Sequence, residues 1–196
     1  MTLMRSRSSR RARFVAGALL LALSTVGAGL LLGKGKTSQA PTGSRTPEGA
    51  PPLIPVGDRR FRGPDGLTVE VPQHWRMDPG SSQNLWGTVR PRDSVSRLPQ
   101  IGVGSVSTNG LERADAIDTV EEILNEILPE LTAESAEVAG YRLTTGSGEI
   151  AGTNVKQVRM LGVVQDRVIV VWGLFDAEMQ GADDLVRQVI ESFDVA

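Results

Sequence analysis

Residues Phe14 to Gly33 form an unbroken uncharged stretch, preceded by Arg5, Arg7, Arg10, Arg11 and Arg13 and followed by Lys34 and Lys36. As a helix, its twenty residues would rise about 30 Å, the hydrocarbon thickness of a bilayer, so the segment reads as a signal anchor or signal peptide and not as part of a water-soluble core. The arginines before it satisfy the positive-inside rule, which holds residues 1–13 in the cytoplasm as a basic tail and sends the rest across. The expectation is a chain held in the cell membrane through Phe14–Gly33, single-pass, with its C-terminal domain outside the cytoplasm. Secretion after signal cleavage is the alternative. Val26-Gly27-Ala28 places small residues where signal peptidase reads, but the apolar run continues through Leu30-Leu31-Leu32. A second small-residue site, Ser38-Gln39-Ala40, is followed by Pro41, which blocks the enzyme.

Residues 34–57 are rich in Pro, Gly, Ser and Thr, with Pro41, Pro47, Pro51, Pro52 and Pro55, and lack large apolar side chains before Leu53. Such a segment cannot bury enough surface to offset the entropy of ordering, and reads as a linker that proline stiffens. The charge divides at its end. Residues 1–57 hold eight Lys/Arg and one acid, whereas residues 58–196 hold thirteen Lys/Arg and twenty-two acids. A domain that acidic repels phosphate backbones, which argues against nucleic acid as a partner. Cysteine is absent. Disulfides, thiolate metal sites and a lipid-bearing cysteine are thereby excluded, and the domain must hold together by packing alone.

Residues 58–196 show first one hydrophobic period, then the other. Leu67-Thr68-Val69-Glu70-Val71 alternates as a half-buried strand after the turn signal Pro64-Asp65-Gly66, and Asn84–Val89 and Ile101–Val106 are further strand candidates. Ala116, Ile117, Val120, Ile123, Leu124, Ile127, Leu128 and Leu131 then recur at helical spacing, with Asp115 or Asp118 to cap the start and Glu121, Glu122 and Glu126 on the outer side. Three strands follow, Tyr141–Ile150, Asn154–Val164 and Arg167–Phe175, the last two joined by Gln165-Asp166 as an antiparallel hairpin. The run Val168-Ile169-Val170-Val171-Trp172 suits a central strand covered on both faces. A last helix begins near Asp183 and Asp184, whose charges complement its dipole, and carries Leu185, Val186, Val189, Ile190 and Phe193 on one side. The fold class is therefore α+β, an antiparallel sheet packed with helices.

The opening run Asp65 to Trp75 resembles the "G-hydrophobic-strand-P-x-x-W" start of bacterial PsbP-like and LpqN-like domains, and Val189-Ile190-Glu191-Ser192-Phe193 resembles their closing "I-x-S-F". The likeness covers most of residues 61–195. It implies a PsbP-like curved antiparallel sheet between helices, and a family whose better-known members are binding or assembly subunits and not enzymes. The matching positions are structural, so no functional residue is carried over, and the missing cysteine keeps the resemblance from extending to lipidation.

Reactive constellations are few. His74 is the only histidine, so a triad would have one available base and a multi-histidine zinc site is excluded. No G-x-S-x-G elbow is complete. Gly146-Ser147-Gly148 precedes Glu149 in place of the G-K-[ST] of a phosphate loop, and reads as a glycine-kinked strand. The acids of Glu121 to Glu137 sit at helical spacing, where a solvated face is the default, although a pair of carboxylates is what glycoside hydrolysis requires. No catalytic residue, cofactor or metal ligand is assigned. Trp172 belongs to the core run. Trp75 and Trp86 lie at strand edges, where a half-buried indole can anchor a partner, and are the candidate partner-binding residues. The expected function is a non-enzymatic, extracytoplasmic, membrane-tethered binding or assembly module whose partner is an unknown protein or envelope component; the alternative is a carboxylate-dependent cell-envelope hydrolase.

Overall fold

The computed structural model describes residues 54–63, 66–80, 85–94, 96, 98–127, 132–150 and 152–195. The basic tail, the Phe14–Gly33 segment, linker residues 34–53, the Pro64-Asp65 pair, Asn84, Leu128 and Leu131 lie outside them. Among the described residues no helix is long and apolar enough to cross a membrane.

Among the described residues, eleven strands and two helices follow one another as β1 (Ile54–Pro55), β2 (Arg60–Arg62), β3 (Leu67–Glu70), β4 (Trp75–Pro79), β5 (Leu85–Pro91), β6 (Gln100–Ser107), α1 (Arg113–Ile127), β7 (Thr132–Val138), β8 (Tyr141–Ile150), β9 (Thr153–Val164), β10 (Arg167–Asp176), α2 (Ala182–Glu191) and β11 (Asp194–Val195). They form a seven-stranded sheet, β4-β5-β6-β10-β9-β8-β7, and a four-stranded sheet, β1-β2-β3-β11. Every pairing is antiparallel. The molecule has three layers, because the large sheet buries both faces. On one side α1 sets Ala116, Ile117, Val120, Ile123 and Leu124 against Leu161, Val168, Val170 and Trp172. On the other, α2 and β3 share a core with Val103, Val158, Met160, Ile169 and Val171. Residues 168–175 of β10 are buried without a break, as a strand flanked by β6 and β9 and covered on both faces must be.

The expected strands 141–150, 154–164 and 167–175 and both helices are present, and Gln165 takes the left-handed conformation, φ 54°, in the β9–β10 turn. Three features differ from the expectation. β1 lies at Ile54–Pro55, on the linker side of the expected boundary at residue 58, where it pairs with β2. β7 is a strand where the acid spacing suggested a helical face, so Glu134 and Glu137 belong to a sheet edge. Glu121 does not face solvent: it turns inward from α1 toward β7 and β8. Two of the rings lie over glycines of the neighbouring strand. Trp172 is paired directly with Gly102, and a Cβ there would overlap its indole; Tyr141 covers Gly162 of β9 in the same way.

Candidate functional site

Trp75 opens β4, the terminal strand of the large sheet, and is half-buried against the core that α2 covers. The backbone around it is already engaged. Its N–H donates to the Pro72 carbonyl at 3.1 Å and its carbonyl accepts from Arg92 Nε at 3.2 Å, while Pro79 at the other end of β4 has no N–H to offer. Such an edge is blunted against adding another strand. What it presents is side-chain surface: the indole on one face, and on the other Arg76 and Asp78, whose Nε and Oδ1 lie 3.3 Å apart.

Trp86, paired with Trp75 by the sequence reading, is placed differently. It is 3% exposed, its ring lies 5.2 Å from that of Phe193, and its indole N–H donates to Ser105 Oγ at 3.2 Å. Its polar group is satisfied inside and no face of it reaches a partner in this conformation, so the structure does not bring the two indoles together on one surface. His74 is exposed in the turn before β4 with φ 64°, and its carbonyl accepts from the Arg92 N–H at 2.8 Å. Among the described residues its imidazole forms no hydrogen bond. Gly146-Ser147-Gly148 runs in unbroken register with β9 within β8, so its N–H groups are committed to strand pairing and form no phosphate loop.

The carboxylates gather instead on a residue that the sequence reading missed. Arg142 of β8 reaches Asp118 and Glu121 of α1 and Glu137 of β7, with Nη1–Glu121 Oε2 and Nε–Glu137 Oε1 both 3.1 Å and Asp118 also in contact. Glu121 also accepts from Thr144 Oγ1 at 2.9 Å. These hydrogen bonds, the one to Asp118 foremost, hold the Arg142 guanidinium protonated well beyond its ordinary range. One strand further in, Arg159 donates from Nη1 to Asn125 Oδ1 at 2.7 Å, and burial lowers its pKa against the opposing charge of Glu121. Its Nε and the Nε2 of neighbouring Gln157 have no hydrogen-bond partner among the described residues. No sequence signal marks this network, because it exists only once β7, β8 and α1 are brought together. Among the described residues no group of His, Asp and Glu is placed to hold a metal ion.

The arrangement ties α1 to the sheet edge. Replacing Arg142 with Met is expected to destabilise the fold by about 1–3 kcal/mol, since it leaves Glu121 partly buried without its cation. Adding Glu121→Gln should restore part of that loss. Denaturant midpoints of the wild type, the two single variants and the double variant check this; additive losses would show that the two residues do not act as a pair.

No family model matches the chain, and no curated protein matches it. Among solved structures, a protein from Bacteroides thetaiotaomicron VPI-5482 aligns with a TM-score of 0.51 at 11% identity, covering 70% of this chain and 48% of that one, so the chain spans about half that protein's length. CyanoP, the cyanobacterial PsbP of Synechocystis sp. PCC 6803, aligns with a TM-score of 0.44 at 17% identity over 70% of this chain and 92% of its own. LpqN of Mycobacterium tuberculosis, described as involved in cell envelope biogenesis, aligns with a TM-score of 0.43 at 19% identity over 65% of this chain and 81% of its own. The structural neighbours thus include PsbP and LpqN, the two kinds of domain that the terminal motifs resemble. At these identities the likeness is one of fold and assigns no site residue.

Proposed function

We propose that this chain is a non-enzymatic binding or assembly module, tethered to the membrane through Phe14–Gly33 with residues 58–196 outside the cytoplasm, and that it meets a protein or envelope component at the surface around Trp75. The observation that carries the reading is the half-buried indole at the end of a blunted sheet edge: a large rigid ring, partly open to a partner, beside backbone that cannot recruit one. A carboxylate-dependent hydrolase would draw on the acids clustered at α1 and β7, and these share Arg142. A carboxylate that stabilises a fixed guanidinium is poorly suited to exchanging protons with a substrate.

The test is site-specific photocrosslinking in the native membrane, with a benzophenone side chain at position 75 and, for comparison, at the exposed position 122 on α1. A discrete adduct is expected from position 75 and none from 122. His74→Ala should leave both the adduct and the melting temperature unchanged. A folded His74→Ala protein that has lost its biological activity would overturn the binding reading in favour of an enzyme.

A further inference from the structure

We infer that the outer face of the small sheet is a membrane-surface contact, which seats on anionic lipid headgroups through Arg60 and Arg62 with Ile54 and Val56 beside them. In register, Ile54 lies opposite Arg62, and the Val56 N–H donates to the Arg60 carbonyl at 3.0 Å. Directly paired residues of an antiparallel ladder project from the same face, so Ile54, Val56, Arg60 and Arg62 share the outer one, while Phe61 and Val69 turn inward to the core. The aliphatic pair is unusually bare: Ile54 is 51% and Val56 42% exposed, two of the four large apolar side chains so exposed among the described residues. Arg60 and Arg62 are exposed too, and form no ion pair among the described residues. Glu70, on the same face, is held by Arg59. Among the described residues the other acids nearby are Asp58 in the β1–β2 turn and Asp194 at the far edge; Asp65, outside them, falls between β2 and β3 in the sequence.

Basic and apolar side chains on one face, in a domain otherwise rich in acids, match the chemistry of an interface between headgroups and acyl chains. The occupant follows from where the chain leads. Residues 34–53 separate β1 from the apolar Phe14–Gly33 segment, and a proline-stiffened stretch of that length reaches at most about 60 Å. The β1–β2 hairpin is the first part of the domain after the linker and stays within that reach of the bilayer from which the chain emerges, so that the tether raises the effective concentration for even a weak contact. Seating the small sheet on the lipid leaves α1, on the opposite face of the large sheet, turned away from the membrane. The inference rests on the tethered reading proposed above.

The absence of cysteine allows a clean test on the full chain. Val56→Cys or Glu122→Cys, each carrying an environment-sensitive fluorophore, is reconstituted into phosphatidylcholine vesicles with or without phosphatidylglycerol and with headgroup-labelled nitroxide lipid. In anionic vesicles, quenching at position 56 is expected to exceed that at 122 by at least about threefold, and to fall toward it when Arg60→Glu and Arg62→Glu are added or phosphatidylglycerol is left out. Equal quenching at 56 and 122 in a chain that floats with the vesicles overturns the contact. So does strong quenching at 56 that ignores both the arginines and the lipid charge, since tether length alone would produce it. A chain that does not float with the vesicles overturns the tether itself, and the contact that depends on it.

Discussion

Val170→Asp is expected to abolish cooperative folding. Val170 is buried in β10 under α1, packed with Leu161, Val168 and Trp172, and the one cation near it on that face, Arg159 diagonally across on β9, is already tied to Asn125 of α1. An uncompensated charge in such a place costs about 3–5 kcal/mol, a large share of the roughly 5–15 kcal/mol by which domains of this kind are stable. Glu122→Lys, exposed on the same helix layer, should change stability by less than about 0.5 kcal/mol. Circular dichroism during heating and urea titration distinguishes the two; similar curves would mean that the buried and exposed faces have been exchanged.

Trp86→Ala should have the next largest effect, about 3–5 kcal/mol, because it removes a buried indole and leaves a cavity beside Phe193 that the rigid sheet cannot close. It also takes away the donor to Ser105 Oγ, although that oxygen keeps its 2.8 Å bond from Arg167 Nη2. Trp86→Phe retains most of the ring volume and should lose less than half as much. Trp75→Ala, at a half-open position, should cost about 1 kcal/mol while weakening partner capture by a similar amount or more. Urea midpoints measured beside crosslinking yield separate these roles. A Trp86→Ala protein as stable as the wild type would show that the ring does not support the core.

The contrast between the two tryptophans shows what the sequence reveals and what it conceals. The long elements were legible because each carries enough periodic apolar residues to fix its period: the α1 face from Ala116 to Leu124, the continuous run of β10 and the acid-started α2. β7 was not. Thr132-Ala133-Glu134-Ser135-Ala136-Glu137-Val138 has small and acidic residues at an exposed edge, where packing imposes no alternation, and its strand state comes from pairing with β8. β1, β2 and β11 have two or three residues each, too few for any period to register. Local context gave Trp75 and Trp86 the same reading, two indoles next to loops. What separates them is distant in the chain: Phe193 and Ser105 close over Trp86, while nothing of the kind closes over Trp75. The Arg142 network was hidden for the same reason, since three elements separated by loops contribute to it.

The seating of rings on glycines bears on how this sheet avoids pairing errors. A slip of one residue exchanges the two faces of a strand and is penalised at once, but a slip of two leaves the alternation intact, and in a strand as short of large apolar residues as β8, or as uniformly apolar as β10, the apolar pattern alone resists it little. Tyr141 supplies the missing discrimination. In the native ladder it lies over Gly162, which has no Cβ to meet the ring; moved by two residues it would come down on the side chain of Met160 or Val164. Trp172 does the same in one direction, where the slip replaces Gly102 with the buried Gln100. The alignment of β8 with β9 and of β10 with β6 is thus marked at positions where a side chain is missing, and any side chain at position 162 would have to displace the Tyr141 ring that marks it.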